Sequence, residues 1–436
     1  MMNLNEALEF IQSVCWLGTK PGLGRIADLL GRLGDPQKEL KFVHITGTNG
    51  KGSVAAMMTA TRNAAGYKVG RFTSPHLRFY NERINVAGQD ICDEDLCCLA
   101  EEMKPAVEGM VEKPTEFELW TAMAMSYFKQ RGCDIVVLEV GLGGRLDSTN
   151  VLPATEVAVI TNIGTMHIEH LGSVEGILQA KLEIIEGMRE DSRIVFNGDD
   201  PMLWKKRIQY QKWVTYFGVD NEECAVRGSC VESGNGVLQF QVSYGTLTYP
   251  IELSLEGKHF VSDALAAITV GIELGVSAAR IQENLSQFQN AAGRQEIFEA
   301  NRCTIIQDCY NAGPESMEAA LNVLGNRPGR HVAVLGDMLE LGVCPQAEHY
   351  RVGRIAAEKA DLLLAYGPNS GRVISGALTG GMSDTMARSF TEPDAIANAM
   401  KRMVKPGDVV LVKGSRGMHM ERILAKFLAK ETNAEE

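Results

Sequence analysis

Basic side chains are in deficit: 43 Lys and Arg face 55 Asp and Glu, for a net charge of -12. Bulk binding to nucleic acid or to an anionic membrane needs a basic face, so both are excluded and only a local basic pocket remains open. No apolar run is as long as a membrane span, and the first ten residues carry Glu6 and Glu9 without the apolar core of a signal peptide. Neither nucleic acid nor membrane is therefore an expected partner. Cysteine is thinly spread, ten residues with no CxxC spacing, which suits neither a disulfide scaffold nor a zinc site. A cytoplasmic chain with reduced thiols is expected. Aromatics are scarce at 6%, yet 45% of residues are hydrophobic, and 436 residues suffice for two or three domains with cores of their own. There is no internal repeat and no low-complexity tract.

Apolar β-rich runs alternate with helical patterns along most of the chain. Lys41–Thr46, Val69–Thr73, Asp134–Val140 and Val157–Ile163 read as strands, and Ser53–Ala65, Phe117–Gln130 and Val174–Arg189 as helices. Near-continuous Val, Ile and Leu runs suit a parallel sheet covered on both faces. Between Trp213 and Leu255, turn signals at Gly228, Gly234-Asn235-Gly236 and Gly245 predict a small antiparallel element of short strands. A second alternating series follows, with strands at Thr304–Asp308, Val332–Leu335, Leu362–Ala365 and Val409–Val412. The predicted fold class is α/β: a phosphate-loop, doubly wound parallel-sheet domain over 1–296 with the small β element, then a Rossmann-like domain over 297–436.

The sharpest local signal is Gly47-Thr48-Asn49-Gly50-Lys51-Gly52-Ser53, between a strand and a helix. Glycines let successive N–H groups curl around phosphate oxygens, and the helix N-terminus adds a favourable dipole. Lys51 would reach the outer phosphates, and the Ser53 hydroxyl lies where a Mg²⁺ ligand or phosphate contact is expected. The strict GxxxxGK[ST] pattern is not met, because Ile45 replaces its first Gly and Gly52 separates Lys51 from Ser53. ATP or GTP is the expected ligand. Glu139 ends its strand where a Mg²⁺-organising carboxylate would stand. Ser74 and His76 follow the strand Val69–Thr73; His167 follows Val157–Ile163, with Glu169 and His170 as alternatives that spacing does not separate. By pattern alone, Lys181 is an ordinary solvated lysine on a helix.

Together with longer stretches, these residues resemble the Mur ligase superfamily of ATP-dependent amide ligases. GTNGKGS, TSPHL, NERIN and EVGLGGRLDSTN resemble its folylpolyglutamate synthase/dihydrofolate synthase branch. GTMHIEHLGSVEGILQAK, GKHFVSDALAA, QDCYNAGPESMEAAL, VAVLGDMLELG and VVLVKGSRGMHME are more similar to its D-alanyl-D-alanine-adding branch. The resemblance implies that the loop with Lys51 holds ATP, that Ser74, Glu139 and His167 ligate Mg²⁺, and that Lys181 is carbamylated. Asp263, Arg294 and Asp308 match nucleotide-contacting positions, although Asp263 stands where the family usually has Asn. Cys309-Tyr310-Asn311 likewise departs from the Ala-His-Asn of the synthases. Thr115, Phe117, Glu118, Leu146, Asp147 and Ser148 match the region that contacts a pteroate.

The implied reaction phosphorylates a substrate carboxylate with ATP and lets an amine displace phosphate, the second domain bringing the amine and closing the site. The phosphate loop at Gly47 leaves no room for the N-terminal sugar-nucleotide domain of the wall-building ligases, so the expected acceptor is a folate or dihydropteroate and the amine glutamate. A D-Ala-D-Ala-adding or other Mur-type ligase is the enzyme alternative. A catalytically silent ATP-binding regulatory protein is the alternative of another class. A monomer is expected.

Overall fold

Short β-branched and aromatic runs set the frame of the molecule. The computed structural model describes residues 2–429 except 15–21, 65, 77, 142, 145, 153–154, 166–171, 187, 235, 291–292 and 343–344. Its first sheet has eleven strands: β1 Phe42–Thr46, β2 Val69–Phe72, β3 Ile84–Val86, β4 Gln89–Asp90, β5 Ile135–Glu139, β6 Thr155–Ile160, β7 Arg193–Asn197, β8 Val214–Gly218, β9 Val226–Gly234, β10 Val237–Tyr244 and β11 Leu247–Leu253. They lie in the order β11-β10-β9-β8-β7-β6-β1-β5-β2-β3-β4. Every residue of β1 and β5 is buried, as expected of central parallel strands covered twice. Alternation then divides the cores. Val43, Ile45 and Val137 pack with the helices Lys51–Ala64 and His259–Glu273, while Phe42, Val136 and Leu138 join Trp120 and Phe128 of the helix Glu116–Gln130 on the other face.

The predicted small antiparallel element is not separate. β8 pairs parallel with both β7 and β9, so the element extends the main sheet, and antiparallel pairing starts only at β9. Its strands are also longer than their parallel neighbours, nine, eight and seven residues in β9, β10 and β11. Two of the predicted turns make tight hairpins, which need no crossover and let strands run on: Gly236 lies between β9 and β10, and Gly245, at φ 59°, closes the turn between β10 and β11; Gly228, read as a turn signal, instead lies inside β9 opposite Val242. Two boundaries also move. The strand at Val157 ends at Ile160, and the helix from Val174 stops at Leu182, passing into a short turn of tighter helix at Glu183–Ile185.

The second sheet has β12 Glu296–Ala300, β13 Cys303–Asp308, β14 His331–Gly336, β15 Leu362–Tyr366, β16 Ala387–Phe390 and β17 Val409–Lys413, in the order β12-β13-β17-β14-β15-β16. β12 is an antiparallel edge and the other five are parallel. In an open parallel sheet, ligands gather beyond the carboxyl ends of the strands. Here β1, β2 and β5 end at the glycine loop, Ser74 and Glu139, and β13 and β17 end at Asp308 and Lys413. All five sites line one cleft.

Candidate functional site

Glycine is required in the loop after β1 for reasons of space as well as conformation. Gly47 and Gly50 have φ of 151° and 83°, and an added Cβ would fall 1.8 Å from Thr161 Oγ1 and 2.1 Å from Asp263 Oδ1 respectively. At Gly52 the obstacle is the Arg294 guanidinium, 2.3 Å away. The segment after β6 fastens the loop. Asn49 N–H donates to Asn162 Oδ1 at 2.8 Å, Thr161 Oγ1 donates to Asn49 O at 2.6 Å, and Gly164 N–H donates to Thr48 Oγ1 at 2.7 Å. Lys51 opens the following helix and folds its amine onto the loop carbonyls of Gly47, 2.9 Å, and Thr48, 3.3 Å. Burial draws that amine below its ordinary pKa, and Glu139 opposes the shift.

Glu139 is 2% exposed and takes a 3.3 Å hydrogen bond from Ser74 N–H. Burial pushes its carboxyl upward, with Lys51 and Arg294 pulling the other way. No ion pair holds Glu139 among the described residues. A buried carboxylate so placed favours a cation, and Mg²⁺ suits one carboxylate completed by phosphate oxygens and water. Ser74 is thus at hand through its backbone. His167 lies outside the described residues, as do His170 and Glu169.

Three further predicted residues meet across the cleft. Asp263 is buried against Gly50, and burial raises its carboxyl to about 7 despite Arg294 and a hydrogen bond from Ser53. Arg294 packs over Tyr310, its Cζ 3.8 Å from the ring centroid. Burial works against its charge, but Tyr310, Glu139 and Asp308 together hold the guanidinium above its ordinary value. Asp308 takes a 2.6 Å salt bridge from Lys413, which also donates to Asn311 O at 2.9 Å. Lys413, His259, Tyr310 and Ser415 line the same cleft and were not singled out by pattern reading. Lys413 had a visible signal, a cation in the fully buried run of β17.

Lys181 is 5% exposed, which overturns its reading as a solvated lysine. Burial first, then the charge of Lys51, draws its amine well below the ordinary lysine range. The two lysines are therefore electrostatic neighbours, although Lys181 does not line the cleft itself.

The six pteroate-region residues are largely occupied by local structure. Thr115 caps the helix Glu116–Gln130, and Glu118 returns the bond to Thr115 N–H at 2.7 Å. Glu118 also receives Arg25 through Nε at 3.1 Å and Nη2 at 2.9 Å. The Thr-x-x-Glu spacing is itself the capping signature. Asp147 Oδ1 accepts from Thr149 N–H and Oγ1 at 2.9 and 2.6 Å, while its other oxygen is turned toward Gly141 at the edge of the cleft. Ser148 Oγ pairs with Thr121 Oγ1 at 2.8 Å. The Phe117 ring also borders Gly141, and Leu146 is exposed.

Family models match in two blocks: the Mur ligase middle domain over residues 45–271 and the Mur ligase glutamate ligase domain over residues 293–416. The chain belongs to the Mur ligase family. It is 45% identical over 187 residues to the dihydrofolate synthase/folylpolyglutamate synthase of Bacillus subtilis, covering 42% of this chain and 43% of that protein. It is 35% identical over 301 residues to the UDP-N-acetylmuramoyl-tripeptide–D-alanyl-D-alanine ligase of the same organism, covering 68% of this chain and 64% of that one. The matches thus span about two fifths to two thirds of these relatives' lengths. Among solved structures, the Mycobacterium tuberculosis folylpolyglutamate synthase complexed with ADP superposes with a TM-score of 0.82, 23% identity and coverage of 97% and 98% of the two chains. MurF from Acinetobacter baumannii gives 0.74, 24% identity and coverage of 92% and 79%. Both likenesses bear out the predicted α/β architecture. The described part of this Mur ligase family member contains no helix long and apolar enough to cross a membrane.

Proposed function

We propose that the protein is an ATP-dependent, ADP-forming amide ligase that joins an amino acid to a substrate carboxylate, with residues 1–296 holding the nucleotide and 297–436 bringing the amine. One observation carries this reading. Lys51 on the glycine loop, buried Glu139, and Arg294 and Asp308 from the far side face one cleft, with a second buried amine, Lys181, beside Lys51. Such a cleft can bind a triphosphate, steady its transferred phosphoryl group and exclude water. The acceptor carboxylate attacks the outer phosphorus and ADP leaves; the amine then adds to the acyl phosphate and inorganic phosphate leaves. Glu139 and Ser74, with His167, would hold Mg²⁺, which supplies positive charge to the phosphates. Lys51 contributes a fixed charge of its own. A neutral Lys181 amine can add to carbon dioxide, lose a proton and become a carbamate, replacing a like charge beside Lys51 with an opposite one.

For the acceptor we favour a folate or dihydropteroate, and for the amine glutamate. Support comes from the 45% identical stretch shared with a dihydrofolate synthase/folylpolyglutamate synthase and from end-to-end coverage of such synthases in structure. The longer, 35% identical match to a D-alanyl-D-alanine ligase favours the second reading, a dipeptide amine. A matrix of ADP-release assays crossing pteroates and folates with Glu, D-Ala-D-Ala and other amines separates them. ADP release that needs both a pteroate-type acid and glutamate is the expected result, silent in Lys51→Ala. Nucleotide turnover indifferent to every acid and amine would instead mark a regulatory ATP binder.

A further inference from the structure

Tyr310 lies two residues beyond the end of β13, opposite the segment that follows β2. Its hydroxyl donates to Ser74 O at 2.9 Å and also faces Pro75 O at 3.1 Å. Its ring carries the Arg294 guanidinium at 3.8 Å, and that guanidinium in turn abuts Gly52 of the phosphate loop. One side chain from the second sheet's domain thus touches the backbone beside Glu139 and, through Arg294, the glycine loop. We infer that Tyr310 is a positioning residue that latches the two domains together and sets Arg294 over the phosphate loop in the same act. A cation over an aromatic face is directional, so removing the ring releases the guanidinium, whereas removing the hydroxyl costs it one hydrogen bond and leaves the ring beneath it.

The Arg294 half of this inference rests on the nucleotide reading of the cleft; the Ser74 half does not. Two variants separate the halves. Tyr310→Phe keeps the ring and loses the hydroxyl, and Tyr310→Leu loses both. Small-angle scattering of nucleotide-free protein reads closure, and ADP titration calorimetry reads Arg294. Tyr310→Phe is expected to shift scattering to a larger radius of gyration while weakening ADP only about two- to threefold, the loss of one hydrogen bond to Arg294. Tyr310→Leu should show the same shift and weaken ADP about tenfold. A merely structural tyrosine would lower the melting temperature of both variants and split neither readout. Tyr310→Phe scattering that superimposes on wild type, or equal loss of ADP affinity in both variants, overturns the inference. Wild-type protein that fails to bind ADP would sink the nucleotide reading, while scattering still decides the latch.

Discussion

Lys181 occupies the last turn of the helix Val174–Leu182, where Ile177, Leu178, Ala180 and Leu182 are buried with it. Glu175 and Gln179, four residues apart, form the exposed stripe of this helix, and in nine residues with so short a polar face the letters alone do not tell that Lys181 lies off it. Only the resemblance pointed to Lys181, and burial now supplies a physical reason: its amine is held neutral far more readily than a solvated one. Lys181→Ala should lose ligase activity by about a hundredfold or more and regain part of it in high acetate, because a small carboxylate can stand in for a carbamate. Full activity in the variant would contradict the assignment. Asp263 makes a pH-dependent prediction. Burial lifts its carboxyl from 3.8 to about 7, so through that window the folded state keeps a proton that the unfolded chain has lost. Stability from this group is therefore present at low pH and lost as pH rises toward 7. Asp263→Asn should be more stable than wild type above pH 7, by about 4 kcal/mol at most, with the gap closing near pH 4. Melting curves across that range check it; parallel curves would refute it.

The strand–glycine loop–helix unit was legible because glycine, strand and helix signals coincide within a dozen residues. What the letters do not carry is why Gly50 is needed twice over, for its φ of 83° and for the Asp263 carboxylate pressed against it. Gly50→Ala should cost about 1–3 kcal/mol in urea titrations and abolish nucleotide binding, since both the backbone and Asp263 must move. A variant with wild-type affinity for ADP would show the contact to be soft. Elements joined by long-range pairing were harder to read. β8 looks in sequence like the start of an antiparallel group, yet it takes β7 and β9 as parallel neighbours, and nothing local selects that partner. Likewise, Glu118 matched a substrate position, whereas its partner Arg25 lies 93 residues away in sequence and could not be inferred from spacing.

At the scale of the whole molecule, a buried ion pair joins the segment after the first sheet to the second sheet's helices. Glu256, between β11 and the helix His259–Glu273, meets Arg327 beyond the helix Pro314–Gly325, with side-chain exposures of 2% and 15%. Gly236 N–H donates to the same carboxylate at 3.2 Å. Arg327→Met leaves that carboxylate buried without its cation and should destabilise the protein by about 3–5 kcal/mol, with a double Glu256→Gln, Arg327→Met variant recovering much of the loss. Additive losses in denaturant titrations would show that the pair is not coupled. The two-sheet architecture was readable from alternating strand and helix patterns, but the facing of Asp308 toward Lys51 across the cleft is a product of domain docking. The chemistry proposed for this docked cleft is formation of an acyl phosphate. Its most direct test supplies an acceptor whose carboxylate carries heavy oxygen, together with ATP, Mg²⁺ and the amine that sustains ADP release, and follows the label by mass spectrometry. Transfer of one labelled oxygen from the carboxylate to inorganic phosphate is predicted, and phosphate free of label alongside amide product would contradict the account.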